Sequence, residues 1–300
     1  MMVSSPAFAH AYLQAPFSIF DKATVTTLAQ IGWQQLAAGR QIDVAHYSIA
    51  NCLGIQQVAP TPPKQSTLMI DGTLLLEEPD FEYLQAFYDE HGLEPLPVAE
   101  LLTSQAPAKL RRALAMLAEV APAHACVLAL AHSVQVLRQP DPEIDVSYSH
   151  PAVPFSVFVT VCEQDSELAA LRVAEALLHE TMHLHLTLLE SVVDLVQPGS
   201  LAVHYSPWRD EDRPVRGVLH GLFVFRAVQA FYQALIAQAG CTGEATNFAS
   251  ERLLSIVQEM QLVADFTQAD GLTAAGRQLA ANLLEYHVEA SNPRSYAGSQ

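Results

Sequence analysis

The sequence predicts an α+β fold, with a mainly helical N-terminal region, 1–140, followed by a region, 141–300, that combines a strand with long helices. The first observation is helical spacing of apolar residues in four N-terminal segments: Ala23–Ala38, Pro79–His91, Pro107–Val120 and Ala123–Leu137. The second is the run Phe155–Val161, whose β-branched and aromatic residues favour a strand. The third is a pair of long apolar segments, Leu168–Val196 and Val215–Gln238, which we expect to be helices.

Proline-containing segments interrupt these elements. Thr61-Pro62-Pro63-Lys64 is predicted to be a loop, and Gln139-Pro140-Asp141-Pro142 marks the boundary between the two regions. Pro151 and Pro154 precede the predicted strand. Because proline cannot donate a backbone hydrogen bond, they favour a position at the edge of a sheet.

Composition limits the class of protein. Of 300 residues, 50% are hydrophobic and 16% are charged, which is typical of a globular chain. The net charge of −17 argues against binding to nucleic acid or to an anionic membrane surface. The four cysteines are scattered without a C-x-x-C pair, as in a reducing compartment. With no signal-type segment and no apolar run of 18 residues, we expect a cytoplasmic protein.

The motif His179-Glu180-Thr181-Met182-His183 lies inside the first long segment. Histidines four residues apart share one face of a helix, where two imidazoles can bind one metal ion and Glu180 leans toward the same ion. Ser166 and Glu167 are suitable residues for the start of this helix, and Pro198-Gly199 is expected to end it. The motif therefore predicts a metal site.

The order of strand and motif is informative. A strand that leads directly into an H-E-x-x-H helix is the arrangement of zincin-like metalloenzymes. By analogy we expect a zincin-like metal-binding core, made of an edge strand, the H-E-x-x-H helix and a second helix that supplies a ligand. An edge strand beside such a metal can hold an extended peptide.

A third ligand is needed downstream of the motif. His220, 37 residues after His183 and on the second long helix, is the preferred candidate, because Arg216 precedes it by one turn on the same face. His204 and Glu211 are the competing candidates. A metal ion next to a fixed arginine is suited to a dicarboxylate, one end of which chelates the metal while the other pairs with the guanidinium. Alternatively, the arginines Arg209, Arg213 and Arg216 pair with nearby acidic residues.

At this point the sequence resembles a known family. The segments Leu177–His183, Tyr205–Arg209, Arg213-Pro214 and Gly217–Gly221 are similar, in order and spacing, to the HExxH-type peptide β-hydroxylases that use iron and 2-oxoglutarate and modify ribosomally made peptides. The resemblance covers about a fifth of the chain, from Leu171 to Ala230. In place of Thr181-Met182 many members have an aromatic residue and Gln.

The resemblance implies Fe(II) bound by His179, His183 and a downstream ligand, which we take to be His220. It also implies 2-oxoglutarate and dioxygen as co-substrates, and hydroxylation of a side-chain β-carbon of a precursor peptide. We expect Arg209, Arg213, Arg216 and Tyr205 near 2-oxoglutarate, and His185 and Trp208 near the peptide. Glu180 is expected to act in catalysis, with its role left open.

Two other functions fit the same residues. A zinc metallopeptidase would use Glu180 as the general base for a metal-bound water. A non-catalytic peptide-binding protein would keep the helix for its structure alone. Imidazole ligands suit both Zn(II) and Fe(II), but several arginines near the metal favour the oxygenase, because 2-oxoglutarate carries a distal carboxylate.

Overall fold

A computed structural model of the protein describes residues 5–14, 17–44, 47–54 and 68–286. The helices are α1 Ser5–Gln14, α2 Lys22–Arg40, α3 Ile49–Cys52, α4 Phe81–His91, α5 Val98–Thr103, α6 Ala106–Ala118, α7 Ala121–Leu130, α8 Glu167–Glu190, α9 Val215–Ala237, α10 Gly243–Gln261 and α11 Ala274–Glu285. The strands are β1 Leu68–Ile70, β2 Leu74–Leu76, β3 Ser133–Leu137, β4 Ser147–Tyr148, β5 Ser156–Thr160, β6 Val203–Ser206 and β7 Glu211–Pro214. Helices hold 58% of the described residues and strands 12%, which confirms the α+β class.

Five strands form one mixed sheet in the order β1-β2-β3-β5-β4. The central strands β2, β3 and β5 are parallel, whereas β1 and β4 pair antiparallel at the two edges. The sheet takes strands from both sides of residue 140, so the two predicted regions share it. The separate strands β6 and β7 form a hairpin that leads into α9.

The two faces of the sheet pack against different helices. On one face Phe158 contacts Phe87 of α4, and Gln135 accepts a hydrogen bond from Tyr88. Because side chains alternate along a strand, Val157 and Val159 point to the other face, where α8 packs on β5. Helix α9 packs on α8 in turn, so α8 is enclosed between the sheet and α9.

Local signals explain where α8 and α9 begin. The Ser166 hydroxyl accepts the backbone N–H of Ala169, and Glu167 lies in the first turn of α8, as predicted. Pro214 precedes the first residue of α9. The strand predicted at 155–161 is confirmed as β5, and the predicted helices at 23–38, 79–91, 107–120 and 215–238 are confirmed within two residues at each end.

Several sequence predictions are wrong. The helix expected to continue to Leu137 ends at Leu130, and Ser133–Leu137 is the buried strand β3. Its short alternation of Ser133 and Gln135 with Val134 and Val136 follows directly on the apolar helix. Strand β5 is internal, and β4 is the edge strand. Helix α8 ends at Glu190 rather than near Pro198, because Val196 and Gln197 pair with the segment around Leu272. The segment between the two long helices contains the β6–β7 hairpin, which no sequence pattern predicted, and the loop predicted at Thr61-Pro62-Pro63-Lys64 lies outside the described residues.

Helix α9 is long and apolar enough to cross a membrane by composition, but 72% of its apolar window is buried in the structure. Such burial is typical of a core helix of a soluble protein. The cytoplasmic location stays a prediction.

Candidate metal centre

The two motif histidines lie on the face of α8 that meets α9. The His179 and His183 ring centroids are 5.0 Å apart, as expected for residues one turn apart on a helix. The His179 side chain is 23% exposed, and the His183 ring lies deeper, against α9. The motif therefore lies between α8 and α9 and remains partly open to solvent at His179.

Helix α9 brings His220 to this face. The His183 and His220 rings lie almost parallel, with centroids 5.4 Å apart, and their Nδ1 atoms are 3.2 Å apart. Two nitrogens bound to one metal at ~2.1 Å lie about 3.0–3.4 Å apart for octahedral to tetrahedral angles. The observed separation fits a shared metal ion.

Burial favours the neutral, metal-binding form of His183. Desolvation lowers the pKa of His183 well below its usual value, and the nearby His179, His220, Arg216 and Arg209 lower it further. A neutral imidazole has a free lone pair for a metal ion. The positive charges of Arg216 and Arg209 near the neutral His183 ring also favour the binding of an anion beside it.

The first motif histidine, His179, is not in position to complete a set of three ligands with His183 and His220. Within the described ranges, no group of three His, Cys, Asp or Glu side chains lies close enough to hold a metal ion together. The His179 Nε2 atom lies 3.9 Å from Glu180 Oε1 instead. Since His179 and His183 share a helix face, a side-chain rotation of His179 moves its nitrogens without moving the backbone. The separation of the His183 and His220 nitrogens is compatible with a shared metal ion, and a set that includes His179 requires another rotamer of that side chain.

An unpredicted carboxylate, Glu190, contacts the predicted third ligand. Glu190 Oε2 lies 3.1 Å from His220 Nε2, and Arg216 donates from Nε and Nη2 to the same carboxylate at 2.6–3.0 Å. Burial alone would raise the pKa of Glu190, but the contacts with His220 and Arg216 outweigh it and hold that pKa below its usual value. Sequence spacing carried a signal, because Glu190 follows His183 by seven residues and lies about two turns along the same face.

The motif carboxylate Glu180 is buried and hydrogen-bonded. Ser147 Oγ donates to Glu180 Oε1 and Ser149 Oγ donates to Oε2, both at 2.6 Å. The two serines belong to β4 and to the residue after it, and alternation along the chain places them on the same side. Glu180 thus ties α8 to the edge strand of the sheet, a link that no motif in the sequence indicated.

The tip of the β6–β7 hairpin packs beside the motif histidines through two aromatic contacts. Trp208 stacks on Phe225 with ring centroids 5.1 Å apart, and Phe225 meets the His179 ring edge-on at 5.3 Å. A Cβ atom at Gly221 would lie 2.5 Å from the Trp208 ring, so the glycine permits this close approach. Trp208 thereby positions the following residue, Arg209, whose charge reaches His183.

The predicted co-substrate residues have different partners. Arg216 is held by Glu190, and Arg213 lies 3.8 Å from Glu211. Tyr205 donates its hydroxyl to Asp210 at 2.7 Å. Arg209 is exposed and, within the described part of the chain, has no ion-pair partner.

Other predicted residues lie elsewhere. His185 is fully buried in the core, where its ring contacts Phe223 of α9 and Tyr12 of α1, and burial lowers its pKa to about 4. This position gives it no access to a substrate. The competing ligand His204 pairs with Asp265, and Glu211 is an exposed residue beside Arg213.

Known proteins add no further evidence on this site. A comparison of the chain with models of protein families and with curated proteins finds no match in either.

Proposed function

We propose that the protein is an Fe(II)- and 2-oxoglutarate-dependent oxygenase that hydroxylates a side-chain β-carbon of a ribosomally made peptide. With iron and co-substrate bound, the centre would supply oxidation of a C–H bond by dioxygen. One oxygen atom enters the peptide as a hydroxyl group. The other enters succinate, which forms as 2-oxoglutarate loses carbon dioxide, so atoms and electrons balance.

The observation that carries this proposal is the approach of His220 to the H-E-x-x-H helix. Its Nδ1 atom lies 3.2 Å from that of His183, although 37 residues separate the two. A zincin-like core needs this convergence of a second helix on the motif. His179, His183 and His220 would hold the metal, and three protein ligands leave positions free for a co-substrate and dioxygen.

Arg209 is the residue we assign to the distal carboxylate of 2-oxoglutarate. Its guanidinium has no ion pair among the described residues, and its charge acts on His183. Arg216, in contrast, is already paired bidentately with Glu190. A free guanidinium near the metal face can form the two parallel hydrogen bonds that a carboxylate accepts.

The peptide would lie along β4. This strand is an edge of the sheet, so its outer side has no strand partner among the described residues, and extended peptides bind such edges by main-chain hydrogen bonds. Ser147 and Ser149 link the same segment to Glu180 beside His179. Glu180 would then hold the peptide-binding strand in register with the metal.

A zinc metallopeptidase is the alternative, favoured by the placement of the Glu180 carboxylate 3.9 Å from His179. A peptidase needs this carboxylate to take a proton from the attacking water. A non-catalytic peptide-binding protein is the third candidate, and it would bind peptide without turnover.

The test uses the purified protein reconstituted without oxygen with Fe(II), then supplied with 2-oxoglutarate, oxygen and peptides encoded by short reading frames beside its gene. We expect a peptide mass gain of one oxygen atom and release of succinate, both dependent on 2-oxoglutarate. Peptide cleavage with zinc and without 2-oxoglutarate would assign the protein to the peptidases. Peptide binding without either product would support the third candidate.

The variant Glu180→Gln separates the two enzymes. As a general base, Glu180 would be required, and its loss would lower peptidase turnover by at least ~10²-fold. In the oxygenase no water needs deprotonation. There we expect the variant to retain iron and to release succinate, with weaker coupling to peptide hydroxylation. A variant that loses succinate release while it retains iron contradicts this role.

A further inference from the structure

A series of close polar contacts connects four side chains of α8 and α9. It runs from Arg216 to Glu190, then to His220 and then to His183. Arg216 donates two hydrogen bonds to Glu190 at 2.6–3.0 Å, Glu190 meets His220 Nε2 at 3.1 Å, and His220 Nδ1 faces His183 Nδ1 at 3.2 Å. The Glu190 side chain is 16% exposed and the His220 side chain 9%. This burial makes each contact stronger than it would be at the surface.

We propose that Glu190 is a positioning residue that sets the tautomer of His220, so that His220 binds the metal through Nδ1. The inference rests on the proposed metal centre but not on the reaction that follows there. A carboxylate accepts but does not donate when ionised, so the His220 nitrogen that faces it must carry the proton. A neutral His220 then has its lone pair on Nδ1, directed at His183.

The geometry around Glu190 supports an ionised carboxylate. The Arg216 guanidinium donates from Nε to both carboxylate oxygens and from Nη2 to Oε2, and a cation held this closely favours the charged form of its partner. Metal-binding histidines commonly donate their other N–H to a carboxylate, which fixes the ring and makes the ligand more basic. Glu190 occupies that place for His220.

The arrangement also explains why the two Nδ1 atoms lie so close together. Two bare nitrogen lone pairs 3.2 Å apart repel each other unless a proton or a metal ion lies between them. In the metal-free protein the His183 Nδ1–H would supply that proton. A metal ion that displaces it would meet two nitrogens already in position.

A second consequence concerns Arg216. Its role is to hold Glu190 rather than to bind the co-substrate, since its Nε and Nη2 donors are directed at that carboxylate. Lys at this position would keep the charge but lose the bidentate geometry. We therefore expect Arg216→Lys to weaken metal binding less than Glu190→Gln does.

The first experiment determines the tautomer of His220 in the metal-free protein. In ¹⁵N-histidine-labelled protein, a two-bond ¹⁵N–¹H correlation spectrum should report His220 with the proton on Nε2. Glu190→Gln keeps the shape but removes the charge, and its amide can donate as well as accept. We expect the His220 signals of that variant to shift toward a mixture of tautomers.

Metal affinity is the second readout, measured with Zn(II) and Co(II) in competition with a chromogenic chelator, without 2-oxoglutarate, oxygen or peptide. We expect Glu190→Gln to weaken binding by about 10- to 100-fold, the usual effect of removing such a carboxylate, and Glu190→Asp to restore part of it. The matched control is Glu175→Gln on the same helix. Glu175 is 14% exposed and pairs with Arg252 rather than with a histidine.

The outcomes separate this inference from the proposed function. Unchanged tautomer signals and unchanged metal affinity in Glu190→Gln, or an equal loss in Glu175→Gln, overturn the role of Glu190. Wild-type protein that binds neither metal overturns the metal centre and this inference with it. Normal metal binding with no 2-oxoglutarate-dependent hydroxylation overturns the proposed oxygenase and leaves the role of Glu190 supported.

Discussion

Glu190 and Glu77 are buried carboxylates in two different regions of the molecule. Glu190 lies between α8 and α9, where Arg216 and His220 surround it and the pKa falls below its usual value. Glu77 follows β2 on the other face of the sheet, where its partners are the Ile49 N–H and the Ser133 hydroxyl. Burial there raises the Glu77 pKa to about 7, although both hydrogen bonds lower it.

The comparison shows that the neighbouring groups determine whether a carboxylate with little solvent exposure is charged. The Ser133 hydroxyl also contacts Ser156, which contacts Tyr47, so Glu77 belongs to a network of neutral groups sealed in the core. Such a network fixes local structure, but it offers no charge to a ligand. The Glu190 cluster contains cationic and titratable groups, and its Arg216 is 49% exposed. Of these two carboxylates, Glu190 is therefore the one whose neighbours reach solvent.

Removing a predicted metal ligand should give the largest effect. Structural sites with four ligands gain ~10–16 kcal/mol from zinc, or roughly 3 kcal/mol for each ligand. We therefore expect His220→Ala to weaken Zn(II) binding by at least about a hundredfold, as measured by competition with a chelator. The matched control is His204→Ala, which removes a histidine that pairs with Asp265 and should leave metal affinity intact. A similar loss in both variants would remove the distinction between the two histidines.

The co-substrate contact should have the next largest effect. A charge-assisted bidentate pair is worth roughly 1.5–3 kcal/mol, so Arg209→Ala should weaken 2-oxoglutarate binding by about 10- to 100-fold. Calorimetric titration of the Fe(II)-loaded protein without oxygen measures this. Arg213→Ala is the control, since Arg213 already lies near Glu211, and should change the affinity little. If Arg209→Ala binds 2-oxoglutarate like the wild type, the anion contact is assigned to the wrong residue.

Glu77 should give a pH dependence of stability with no effect on metal binding. Its folded-state pKa of about 7 lies above the value of 4.5 expected when exposed, so the folded state holds the proton more tightly. The stability contribution of that proton is complete below pH 4.5 and is lost as the pH rises to about 7. Over this window the wild type should lose up to about 3 kcal/mol relative to Glu77→Gln. Urea unfolding of both proteins at several pH values tests this, and parallel curves would contradict it.

Two glycines on α9 should respond oppositely to alanine. A Cβ atom at Gly221 would lie 2.5 Å from the stacked Trp208 ring, whereas one at Gly217 would meet only Arg213 Nε at 4.0 Å. We expect Gly217→Ala to gain ~0.5–1 kcal/mol from helix propensity. Gly221→Ala should lose ~1–3 kcal/mol through overpacking, and should also weaken 2-oxoglutarate binding because Trp208 positions Arg209. Thermal unfolding compares the two, and equal shifts would show that Trp208 moves away easily.

The long helices could be predicted from the sequence because their signals are local. Apolar spacing defined the α8 segment, Ser166 marked its start, and the H-E-x-x-H spacing placed His179 and His183 on one face. Strand β3 was not predicted, because the alternation of Ser133 and Gln135 with Val134 and Val136 is short and follows directly on the apolar segment of α7. The end of α8 depended on pairing with the distant segment around Leu272, which no local signal shows.

The sequence by itself determined the α+β class, and it marked α8 as a candidate metal-binding helix and His220 as the preferred partner of its two histidines. Tertiary structure decided which charges are free. The sequence alone does not distinguish Arg209, Arg213 and Arg216. Packing of α9 on α8 pairs Arg216 with Glu190, whereas Arg209 stays unpaired among the described residues. It also directed His185 into the core. The physical reason is that a charge or lone pair acquires its role from neighbours within a few ångströms, and those neighbours are remote in sequence.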